Sequence, residues 1–137
     1  MTPTSVVLNI ILALFPAFLT CTVAEAATIE AVAAEIARQH NVNASSMLDE
    51  MTISTLAKAD GKHITIANVI RVKRNLPASK ISEFKNEMTS EILSRTCQAK
   101  ALDAAFKQGM YYTYEFSSTY GELLARIKVD KLICGIK

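Results

Sequence analysis

The chain has 137 residues, half of them hydrophobic, with 15 basic and 13 acidic side chains and a net charge of +2. That length supports one domain with a modest core and not two. A balance this even lacks the concentrated positive field that nucleic-acid binding needs. Two histidines and three cysteines leave little material for a metal site or a redox pair.

Val6 to Phe15 is apolar apart from Asn9, is followed by Pro16, and leads to Ala24-Glu25-Ala26. This is the arrangement of a secretory signal peptide with a small-x-small cleavage site after Ala26. The stretch from Val6 to Thr20 spans roughly 15 residues, short of the 20 or so that a membrane-spanning helix requires. The region before it lacks Lys and Arg, which keeps an uncleaved anchor open as an alternative. Lipidation at Cys21 is the lesser expectation. Phe18-Leu19-Thr20-Cys21 departs from the lipoprotein pattern Leu-(Ala/Ser)-(Gly/Ala)-Cys, with a large residue and then Thr where small ones belong. The expected product is an exported single domain, residues 27–137, periplasmic or secreted. Glu25 is the only charged side chain before it, so the domain carries 15 basic and 12 acidic side chains, a mild net +3.

Removing Cys21 with the presequence leaves Cys97 and Cys134, an even pair in an exported domain, and the expectation is a disulfide. No Cys-x-x-Cys spacing occurs, and His40 and His63 lie far from both cysteines in sequence, so a metal or redox pair is the weaker reading.

In chain order, Thr28 caps a helix whose apolar residues Ile29, Val32, Ala33, Ile36 and Ala37 repeat at three-four spacing, ending near His40-Asn41. Ala44 to Glu50 reads as a turn or a frayed helical turn. Met51 to Ala59 and Lys62 to Lys73 read as two strands joined at Asp60-Gly61 in a hairpin. In the second arm Ile64, Ile66, Asn68, Ile70 and Val72 share one face. His63, Thr65, Ala67, Val69 and Arg71 share the other. Arg71-x-Lys73-Arg74 then forms a solvated edge. Asn75-Leu76-Pro77 ends the hairpin, and Ser79 opens the longest helix, with the stripe Ile81, Phe84, Met88, Ile92 and Leu93, running to about Cys97. Leu102, Ala105 and Phe106 mark further helix up to Gly109; the pattern leaves open whether 97–109 holds one bent helix or two. Met110 to Phe116 alternates as a strand and holds four of the nine aromatics. Ser117 to Gly121 turns, and Glu122 to Cys134 forms a closing strand or strand pair. Two hairpins separated by helices imply an α+β fold, an antiparallel sheet with helices packed on one face.

The order of signal peptide, helix, hairpin, long helix ending in Cys97, Gly109-x-Tyr111-Tyr112-x-Tyr114, and Gly121 before a strand with Cys134 resembles two groups of small periplasmic proteins. These are the quorum-sensing-regulated virulence factor family and one structural class of secretin pilotins from type II secretion. The resemblance covers most of Ala27 to Cys134. The pilotin resemblance implies a non-catalytic partner for a secretion channel, one that takes a helical segment of the secretin into an apolar groove beside the sheet. Those pilotins are lipoproteins, and this chain departs from them at Cys21.

The remaining candidates for chemistry are sparse. His63 lies on the hairpin's mixed face, as a surface histidine. Asp49-Glu50 are adjacent carboxylates in a turn, without a third acid nearby in sequence. Glu83, Glu87 and Glu91 line one exposed helix face among lysines. Tyr111, Tyr112, Tyr114 and Tyr120 carry two readings, cross-strand packing and a peptide-binding surface, with Tyr111 and Tyr120 the first choice for exposed contacts. The expected function is therefore a periplasmic binding or assembly module that captures a partner peptide at a sheet groove, an accessory of envelope secretion or conjugation. The alternative is a small exported inhibitor or immunity protein that blocks an enzyme. Neither needs a cofactor, a metal or a nucleophile and base. The expected partner is a secretion-channel or other envelope protein, with the membrane met only through that partner or an uncleaved signal.

Overall fold

The computed structural model describes residues 27–137. The signal peptide, its cleavage after Ala26 and Cys21 lie outside the described residues.

Helix α1, Ile29–Val42, starts where the Thr28 hydroxyl accepts the Ala31 N–H at 3.1 Å. Its buried face is Ile29, Ala33, Ile36, Ala37 and His40. A 3-10 turn, Ala44–Met47, leads into strands β1, Thr52–Asp60, and β2, His63–Ile70. The hairpin loop falls one residue later than Asp-Gly suggests, because Asp60 pairs with His63 and the loop is Gly61-Lys62. Of these two, only Gly61 has positive φ, at 59°, the glycine-first pattern of a II′ hairpin.

Asn75, with φ 57°, turns the chain after β2. Helix α2, Ala78–Gln98, then starts from Pro77, whose carbonyl accepts the N–H groups of Lys80 and Ile81; it opens one residue before the expected Ser79. Gln98 ends α2, and a 3-10 turn at Lys100–Leu102 separates it from the short helix α3, Asp103–Lys107, so the segment after Cys97 is two pieces. Gly109, with φ 95°, stops α3. Strands β3, Tyr111–Ser118, and β4, Leu123–Val129, complete the fold. The strand expected as far as Cys134 ends at Val129, and residues 131–135 are turn.

The four strands lie in sequence order. Each hairpin is antiparallel, as expected, but β2 and β3 pair in parallel, which makes the sheet mixed. The expectation of an antiparallel sheet throughout is corrected on this central pair. The cause is the connection: α2 runs about 31 Å at 1.5 Å per residue. It carries the chain back past the sheet so that β3 begins at the end where β2 began, which is how parallel neighbours must be joined.

One face of the sheet is packed. Ala57, Ile66, Tyr114 and Ile127 form a buried row across all four strands, and Ile64, Tyr112 and Val129 form the next. Helix α1 covers β1 and α2 covers β4. Phe84 meets Phe116 edge-on at 5.6 Å, and Phe106 of α3 meets Tyr112 at 6.1 Å. Full burial of Ile64, Ile70 and Ile92 contributes roughly 1.5–3 kcal/mol each. The opposite face carries Leu56, Lys58, Ala67, Arg126 and Lys128 in the open. The Cys97–Cys134 disulfide ties the end of α2 to the segment after β4, joining the two layers as expected. It closes a loop 37 residues long, worth on the order of 3–4 kcal/mol of unfolded-chain entropy.

Candidate protein-docking site

The four tyrosines separate by face and position. Tyr112 and Tyr114 alternate onto the packed face and stack on each other at 5.7 Å. Burial pushes the Tyr114 phenol up to about 12 and raises Tyr112 as well. Both belong to the core, and this corrects their place in a partner-binding set. Tyr111 lies on the open face, half-buried. His63 of β2 stacks on its ring at 4.3 Å, nearly parallel, and the Lys128 ammonium of β4 lies 5.0 Å from its centroid. His63 Nε2 also lies 2.8 Å from the Thr113 hydroxyl. Neighbours on both flanking strands therefore hold Tyr111 in place. Tyr120, in the β3–β4 turn, is the tyrosine that protrudes, 52% exposed.

Tyr120 lies at the end of the sheet where β1 and β4 begin and β2 and β3 end. Ser118 Oγ accepts the N–H groups of Tyr120 and Glu122, each at 3.2 Å, which fixes the turn and aims the ring. Arg74 places its guanidinium 4.5 Å from that ring, so the basic run after β2 folds back onto the turn. Arg71 extends the pairing of β2 by donating its N–H to the Met51 carbonyl at 2.7 Å. That bond brings β1's approach alongside. Met51, Leu48 and Leu123 are all exposed here, large apolar residues that the core leaves out. Asp49 Oδ1 accepts the N–H groups of Met51 and Thr52 at 2.8 and 2.6 Å and anchors the start of β1.

Arg, Tyr and Met, three of the residue types gathered at this end of the sheet, are enriched in protein interfaces. The sequence already singled out Tyr120 and Arg71-x-Lys73-Arg74, but as unrelated features. Their meeting depends on β2 and β3 running in parallel, which puts the last residues of both strands at one end.

Two further residues escaped the sequence reading. His40 is fully buried, with Nε2 2.8 Å from the Thr55 hydroxyl of β1; desolvation lowers its pKa to about 4, so it is neutral at pH 7. The spacing Ile29, Ala33, Ile36, Ala37, His40 would have placed it on the apolar stripe. Asn41 bonds both backbone groups of Ala57, accepting its N–H at 2.7 Å and donating to its carbonyl at 2.8 Å. The amide thereby occupies part of the β1 edge that another strand could otherwise join. Among the described residues no three of His, Cys, Asp and Glu gather into a metal site, and no helix is long and apolar enough to cross a membrane.

Solved structures with this fold include two pilotins. The type II secretion pilotin AspS from Vibrio cholerae superposes with a TM-score of 0.54 at 18% identity, over 77% of this chain and 92% of its own. The pilotin EpsS from the type 2 secretion system of Vibrio vulnificus gives 0.55 at 13% identity, over 77% and 91%. PA3611 from Pseudomonas aeruginosa, a candidate secreted protein, gives 0.54 at 13% identity, over 80% and 99%. No family model matches the chain, and no curated protein matches it in sequence. The pilotin half of the family resemblance thus has counterparts in structure, while the quorum-sensing-regulated half has no matching model.

Proposed function

We propose that this protein is an exported, non-catalytic accessory of an envelope secretion machine, which works in the periplasm by holding a protein partner. The observation that carries the reading is the likeness in fold to two pilotins of type II secretion systems, over nearly the whole length of each. The surface around Tyr120 supports it from the chain's own residues. There the partner peptide lies across the end of the sheet, with Tyr120 as its buried anchor, Arg74 and Arg71 as charged contacts, and Leu48, Met51 and Leu123 as apolar ones. Tyr111, already stacked and half-buried, plays the lesser part.

A photo-crosslinking amino acid at position 120 of the natively exported protein tests this. An adduct with an outer-membrane channel subunit, together with loss of channel assembly when the gene is deleted, is the expected result. A stoichiometric adduct with a hydrolase would establish the inhibitor instead. Normal channel assembly in the deletion strain removes the accessory reading.

A further inference from the structure

The opposite end of the sheet has a different chemistry. Here the β1–β2 loop, the start of β3 and the end of β4 come together, and the disulfide adds the end of α2. Lys62 of the loop lies against Gly109, where its Cδ would stand 3.4 Å from an added Cβ, and its carbonyl accepts the Tyr111 N–H. Lys107 precedes Gly109 by two residues, Lys100 follows Cys97 by three, and Lys131 follows β4. These four are exposed, as is Lys128 over the Tyr111 ring. The opposing carboxylates are Asp60, Asp103 and Asp130. Asp130 is occupied within the fold: Oδ1 accepts the Ile133 N–H at 2.9 Å, which holds its carboxyl below the usual range, and Oδ2 lies 3.5 Å from Lys128.

That bond from Ile133 belongs to a turn that presents apolar residues to solvent. Leu132 is 79% exposed and Ile133 47% exposed. The Cys134 N–H bonds the Asp130 carbonyl, the Ile136 N–H bonds the Lys131 carbonyl, and Cys134 is fixed to Cys97. Two adjacent aliphatic side chains are thus held in solvent by a cross-linked turn, at the end of the sheet that carries the lysines.

We propose that this end seats the domain directly on an anionic lipid bilayer, with Leu132 and Ile133 entering the headgroup boundary and the lysines engaging lipid phosphates. The choice of lipid over protein follows from composition. Protein interfaces enrich Arg and aromatic residues and are depleted in Lys, as at the Tyr120 end. Anionic bilayers reward flexible lysines beside a small apolar insertion, each lysine near the surface strengthening binding about fivefold. The cation excess here, five lysines against three aspartates, complements such a surface.

The experiment is co-flotation of the natively exported protein with phosphatidylcholine vesicles containing about 30% phosphatidylglycerol, compared with phosphatidylcholine alone. Binding should require the anionic lipid and weaken steeply as salt shortens the screening length below about 10 Å. Leu132→Ser with Ile133→Ser should reduce it about tenfold, since both side chains lose an apolar partner phase. Lys107→Glu with Lys131→Glu should do at least as much, and this pair carries the test if the serine variant loses its fold. Arg74→Glu with Tyr120→Ala should float like the unaltered protein. Equal binding to both vesicle types, no binding to the anionic ones, or flotation indifferent to both the serine and the glutamate pairs overturns the proposal. So does binding to polyglutamate without vesicle binding, which would make an acidic peptide the occupant. The Arg74 and Tyr120 variant separates this outcome from failure of the docking site at the other end.

Discussion

The two ends of the sheet are both basic and both display apolar residues, yet they are built from different amino acids and held by different bonds. At one end arginines meet a tyrosine, with Arg74 laid against Tyr120 and Ser118 fixing the turn beneath. At the other, lysines share the end of the sheet with an aliphatic pair held by Asp130 and a disulfide. A guanidinium stacks flat on an aromatic ring and loses little on desolvation, whereas an ammonium on a flexible stem stays hydrated. Charge alone would treat the two ends as equivalent. That difference in side-chain chemistry is the ground for proposing a protein partner at one end and a bilayer at the other.

The largest perturbation should fall on one end only. Replacing Cys97 and Cys134 by Ser releases the 37-residue loop and should cost about 3–4 kcal/mol in urea unfolding. Amide exchange should rise first around 130–136 and last in the Ser118–Glu122 turn. Uniform loosening would mean that the two ends are not independent.

Acid acts on the layer contact between them. His40 has its pKa lowered to about 4, from an ordinary value near 6.5, because burial denies the charged ring its hydration. The unfolded chain therefore binds the proton first. Stability is full above pH 6.5 and falls as the pH drops towards 4, by about 3 kcal/mol in all. Urea midpoints at pH 7, 5.5 and 4.5 measure the slope, and His40→Gln should flatten it.

At the Tyr120 end, Tyr120→Ala should weaken partner binding by about 2 kcal/mol while moving stability by less than about 0.5 kcal/mol, since the ring is half in solvent. Titration of the crosslinked partner against both proteins checks the first figure, and thermal unfolding checks the second. The smallest effect belongs to the hairpin loop at the lysine end. Gly61→Ala meets no atom within 4 Å, but φ of 59° costs a side chain about 1 kcal/mol, read as a shift in the urea midpoint.

Much of the fold was legible along the chain because its elements follow local rules. Thr28 caps α1, the α1 stripe runs at three-four spacing, and Gly109 stops α3. The β2 faces fall as alternation demands, Ile64 and Ile66 inward and His63 and Thr65 outward. Cysteine arithmetic led to the disulfide. The strand reading of 130–134 failed because Ile133 and Cys134 continue an apolar pattern, while the Asp130 carboxylate bonds the Ile133 N–H and curls the backbone. Of the two readings of the tyrosines, cross-strand packing holds for Tyr112 and Tyr114, which alternation places on the same buried face as Phe116.

Most elements, their buried faces and the cysteine pairing can be read along the chain, because each depends on spacing within a few residues or on a count. The parallel pairing of β2 and β3 cannot be read that way, since it follows from how far α2 carries the chain before β3 can pair. Both surfaces follow from that one pairing. It gathers Arg71, Arg74 and Tyr120 at one end and Lys62, Lys107 and Lys131 at the other, residues whose separation in sequence gives no local signal that they meet.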